Sequence, residues 1–144
     1  MQGSQPFHIM VSDTNHHVRD LLKRELEKEG YAVFCVRNGL EAYHTLCQST
    51  LVDLMILDPE LLYPYGQSLF FDVLDNNPTL QIIIHTYPDF ISGLKPGSNV
   101  HLVEKGATSI HLLKKIIHTC SLQKVEHPHH ISAHIYSRHR KRNE

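Results

Sequence analysis

Residues 51–66 read LVDLMILDPELLYPYG, and the apolar run Leu54–Leu57 is followed at once by Asp58 and Pro59. A short apolar run with no alternation suits a strand buried on both faces, as inside a parallel sheet. Pro59 cannot donate to a strand ladder, so the strand closes there. Open α/β folds bind their ligands at the carboxyl edge of the sheet, which is where this reading puts the Asp58 carboxylate. Gly66 then opens another apolar-periodic segment.

The length of 144 residues and 41% hydrophobic content are enough to fill one core. No apolar run reaches membrane-spanning length, and residues 1–10 lack a signal-peptide pattern. Cys35, Cys47 and Cys120 have no CxxC spacing and read as core or near-core thiols, which points to a reducing, cytoplasmic setting. Residues 1–120 carry 9 Lys+Arg against 13 Asp+Glu, whereas residues 121–144 carry 5 against 2. A mildly acidic body with a basic tail gives nucleic acid no evident surface on the body.

His8–Val11 reads as a first buried strand running into Ser12, Asp13 and Thr14. Thr14 or Asn15 can cap a helix with Val18, Leu21, Leu22 and Leu26 on one face, and Gly30 suits the residue just past its end. Residues 31–36 form a second, edge strand, and a second helix spans about 40–48. After the Asp58 strand come a helix over 67–75 and a fourth buried strand over 80–84, ending at His85 and Thr86. Pro88, Gly93, Pro96 and Gly97 leave room for no more than about two helical turns before a fifth strand, 100–104, which ends at Lys105. A last helix, capped by Thr108, places Ile110, Leu113, Ile116 and Ile117 inward and ends near Cys120. Strands alternating with helices imply a parallel sheet, and right-handed crossovers bring every strand end to one edge. Asp13, Asp58 and Thr86 therefore share that edge.

With Asp13, Asp58, Thr86 and Lys105 at strand ends, and Gly66 at its interval from Asp58, residues 7–120 resemble the receiver domain of bacterial response regulators. The resemblance implies a flavodoxin-like doubly wound α/β fold, a five-stranded parallel sheet in the order 2-1-3-4-5, with the fourth helix short or missing. It implies a stand-alone receiver over 1–122 and a His-rich basic tail over 123–144, disordered by composition. By the same resemblance Asp58 accepts a phosphoryl group from a histidine kinase or a histidine phosphotransfer protein, and the chain signals to a downstream protein by contact. Two crowded carboxylates call for a hard divalent cation, and Mg²⁺ suits a site with few protein ligands. Asp13, Asp58 and the backbone carbonyl of Glu60 would hold it, with Ser12 reaching it through water. Lys105 and Thr86 would contact the phosphoryl oxygens. No turnover of an independent substrate is expected, nor a DNA-binding domain.

Five departures from the family pattern stand in the sequence. Ser12 replaces an acidic residue, Tyr87 a small one, and Gly106 the proline that usually follows the lysine. The segment between Thr86 and Lys105 is short, and Leu102 occupies the place of a switch aromatic, with His101 on the opposite face. Tyr87 reads as a gate over the Asp58 pocket. The departures also define an alternative, a pseudo-receiver that docks without phosphorylation. Of the remaining features, His16-His17 reads as a solvated helix start. Tyr63, Pro64 and Tyr65 offer a candidate partner contact. The histidines of the tail have no fixed metal-ligand spacing.

Overall fold

The computed structural model describes residues 5–48, 51–63, 75–91 and 98–126. Five strands, β1 (His8–Ser12), β2 (Ala32–Val36), β3 (Leu54–Leu57), β4 (Gln81–Thr86) and β5 (Val100–Glu104), form one parallel sheet in the order β2-β1-β3-β4-β5. All four residues of β3 are buried, as expected of a central strand covered on both faces. β2 is an edge strand, as the sequence reading expected.

Side-chain alternation along the strands divides the core into two layers. On one face Ile9, Val11, Ile56, Ile83 and Val103 pack against Leu22 and Leu26 of α1 (His16–Lys28) and Leu113, Ile117 and Cys120 of α3 (Ser109–Glu126). On the other, Met10, Met55, Leu57, Ile82 and Ile84 meet Ala42 and Leu46 of α2 (Gly39–Gln48), with Leu61 and Leu62 from a 3-10 turn at Pro59–Leu62. The Asn15 side chain accepts a hydrogen bond from the His17 N–H and starts α1, and Gly30, at φ +93°, ends its turn in the left-handed region.

One helix meets the sequence expectation and one departs from it. Between β4 and β5 the described residues form a single helical turn, Pro88–Ile91, in keeping with a short segment there. α3 continues to Glu126, well past Cys120. Lys124 accounts for the extra length: its ammonium lies 3.0 Å from the Asp53 carboxylate and ties the last turn to the start of β3. Cys47 is exposed, against the expectation of a near-core thiol, whereas Cys120 is buried. The helix expected over 67–75, apart from its last residue, lies outside the described residues, as do Pro64, Tyr65, Gly66 and 127–144.

Candidate functional site

The β1–β3 ladder extends one step past its strands, because the Asp58 N–H donates to the Ser12 carbonyl at 2.9 Å. That bond brings the residues after β1 and β3 side by side at the carboxyl edge. Asp13 and Asp58 are each 2% exposed there. Each carboxylate has one oxygen held by a backbone N–H: Asn15 donates to Asp13 Oδ1 at 2.9 Å, and Glu60 to Asp58 Oδ1 at 3.0 Å. Pro59 makes the second of these possible, since it starts the tight turn that aims the Glu60 N–H back at Asp58.

The other two oxygens share one cation. Lys105 Nζ lies 2.8 Å from Asp13 Oδ2 and 2.6 Å from Asp58 Oδ2. Burial works against its charge, but the hydrogen bonds to Asp13 and Asp58 outweigh that and hold the ammonium above lysine's ordinary value. The Lys105 N–H donates to the Thr86 carbonyl at 2.8 Å, which fixes the lysine's backbone to the end of β4. Thr86 is buried, with its hydroxyl 3.5 Å from Asp58 Oδ1, at the outer limit of a hydrogen bond. Tyr87 is 54% exposed, and its ring centroid stands 5.4 Å from Lys105 Nζ, within cation–π range.

Asp13, Asp58, Thr86, Lys105, Ser12, Glu60 and Tyr87 thus gather at one edge. His16 and His17 stack on each other, ring centroids 3.9 Å apart, on the exposed first turn of α1. His101 and Leu102 take opposite faces, with Leu102 against the second core layer and His101 on a groove beside α3. The charge argument from sequence called for a divalent cation between the carboxylates, and here the Lys105 ammonium sits between them.

Sequence reasoning missed His85. It is 3% exposed, and neither ring nitrogen has a hydrogen-bond partner. A buried polar group left unpaired costs about 1–3 kcal/mol. The period-two pattern that set Thr86 at the strand end could have found it. Val11, Ile56, Ile83 and Val103 share one core layer, and two residues further along their strands come Asp13, Asp58, His85 and Lys105. Burial, then the Lys105 charge, pushes the His85 pKa down to about 4, with Asp13 and Asp58 opposing. A pKa lowered on folding adds stability that is complete above the ordinary value of 6.5 and is lost as pH falls toward 4. His85 should therefore remove roughly 3 kcal/mol of stability across that window. Urea unfolding of the wild type and of His85→Leu at neutral and mildly acidic pH checks this; the variant should lose most of that acid-side decline.

The donor set also bears on a metal. Asp13 and Asp58 supply carboxylate oxygens, and the Glu60 carbonyl, which accepts the Tyr63 N–H at 3.2 Å, retains a second lone pair. Ser12 Oγ is fully buried without a partner, a free oxygen suited to a metal-bound water. Hard oxygen donors, few in number, match Mg²⁺ rather than a soft metal. Among the described residues no cluster of three or more His, Cys, Asp or Glu could hold a metal by itself.

An open parallel sheet with an acidic, lysine-bridged site at its carboxyl edge defines the class of doubly wound α/β proteins, which bind their ligands at that edge. Comparison narrows the class. The response regulator receiver domain family matches residues 9–117, and the chain belongs to it. A solved response regulator from Thermotoga maritima, in complex with Mg²⁺-BeF, is 30% identical, covering 76% of this chain and 96% of its own, with a TM-score of 0.66. A CheY-like receiver domain protein from Methanospirillum hungatei shares the fold at 22% identity and a TM-score of 0.68, over 85% of this chain and 99% of its own. A protein-glutamate methylesterase/protein-glutamine glutaminase from Rhodospirillum centenum is 34% identical over 84 residues, 57% of this chain. The chain spans about a fifth of that relative's length, 21%. Among the described residues no helix is long and apolar enough to cross a membrane.

Proposed function

We propose that the chain is a response regulator that accepts a phosphoryl group on Asp58 from a histidine kinase or histidine phosphotransfer protein and passes the signal on by protein contact. The observation that carries this reading is the Lys105 ammonium held against both Asp13 and Asp58, a buried pair of carboxylates sharing one counter-cation. In the transfer an Asp58 oxygen forms the bond to phosphorus as the donor's nitrogen–phosphorus bond breaks, and the leaving imidazole keeps the electron pair. The Glu60 N–H fixes the carboxylate's orientation, Lys105 balances charge on the incoming oxygens, and the Thr86 hydroxyl is near enough to hydrogen-bond one of them. When bound by Asp13, Asp58 and the Glu60 carbonyl, with Ser12 behind a water, Mg²⁺ supplies electrostatic stabilisation of the transferring group. No side chain is required as general acid or base. Tyr87 acts as the gate over this pocket.

The docking alternative rests on Ser12, Tyr87, Gly106 and the short segment after Thr86, yet Asp13, Asp58 and Lys105 still meet at one point. Calorimetry with Mg²⁺ tests the reading. Binding in the millimolar range or tighter is expected, lost in Asp13→Ala, and a folded wild type with no binding would count against it.

A further inference from the structure

His85 occupies a place that the strand's own pattern, Ile82-Ile83-Ile84, would fill with another apolar residue. A leucine there would pack without leaving two ring nitrogens unpaired. Strand order sets β4 between β3 and β5, and the register places His85 level with Asp58, one step past β3, and with Val103 on β5, two residues before Lys105. To meet Asp58 and Asp13 the Lys105 side chain must therefore reach back across β4, near enough for its charge to act on His85. Its ammonium has three N–H donors and is bound here to two carboxylate oxygens. A neutral imidazole keeps one lone pair and adds no competing positive charge.

We propose that His85 is a positioning residue: its unprotonated ring nitrogen takes a hydrogen bond from Lys105 Nζ when the Asp13 carboxylate is otherwise engaged, keeping the ammonium beside Asp58. This deepens the phosphoacceptor reading and rests on it for its purpose, though not for its test. The site has two arrangements of one cation, with Asp13 or His85 as the second acceptor. The second arrangement satisfies one of the nitrogens left unpaired in the first.

Ring-nitrogen NMR of isotope-labelled histidine in the full chain reads this directly, with the His85 signal assigned by its absence in His85→Leu. In metal-free Asp13→Ala the unprotonated His85 nitrogen should move to its hydrogen-bonded position. In the second arm, His85→Leu should weaken Mg²⁺ binding about tenfold, the loss expected for one hydrogen bond to a charged group, and His85→Gln should recover most of it. An unmoved signal in Asp13→Ala, or wild-type Mg²⁺ affinity in His85→Leu, overturns the proposal. A wild type that binds no Mg²⁺ instead overturns the phosphoacceptor reading, and the Asp13→Ala signal still decides the role of His85.

Discussion

Lys105→Met should lower the unfolding free energy by about 3 kcal/mol at neutral pH without divalent cations, the lower part of the range for breaking a buried ion pair. The variant leaves Asp13 and Asp58, each 2% exposed, facing each other with no cation between them. The low end applies because the Lys105 side chain retains 10% exposure, enough for water to take part of the load. Two carboxylates then repel in a site of reduced dielectric, and the favourable response is to bind a cation from solution. Adding Mg²⁺ should therefore restore much of the lost stability, and cation affinity should rise about tenfold, because no ammonium need leave Asp13. Urea midpoints with and without Mg²⁺ measure both effects. Equal loss in the two conditions would mean that the carboxylates do not form a common cation site.

The second large effect belongs to Tyr87. An aspartyl phosphate is lost mainly by in-line attack of water, so a ring at the pocket's mouth restricts the attacking geometry. The ring stands 5.4 Å from Lys105 Nζ, the cation paired with the Asp58 carboxylate. Tyr87→Ala should shorten the phosphoprotein's lifetime about tenfold, and should speed labelling by small phosphodonors, since entry and exit share the opening. Stability separates this role from simple loop packing. An aromatic buried in a core costs about 3–5 kcal/mol when emptied, whereas Tyr87 is 54% exposed and its loss should change stability by less than about 1 kcal/mol. A lifetime unchanged in Tyr87→Ala removes the gate.

Much of this arrangement was legible in the sequence because a parallel sheet has a simple grammar. Apolar runs without alternation mark buried strands, and the polar residues that close each run mark the shared edge. That rule found Asp13, Asp58, Thr86 and Lys105. Gly30 and Asn15 were legible for local reasons, a left-handed turn and a side-chain cap. The end of α3 was not, because it depends on Lys124 reaching Asp53 across 71 positions of chain, a contact that no local propensity encodes. His85 was hidden by its neighbours: beside three isoleucines it reads as the close of a strand, and its unpaired nitrogens exist only once the sheet is packed. The lysine bridge between Asp13 and Asp58 was likewise a product of tertiary geometry.

The most direct test of the central claim is the intact mass of the folded protein after incubation with a small phosphodonor and Mg²⁺. One added phosphoryl mass is expected on the wild type, none on Asp58→Asn, and none on the wild type when the cation is chelated. A folded wild type that gains no mass, or an Asp58→Asn variant that gains the same mass, would contradict the assignment of Asp58 as the acceptor.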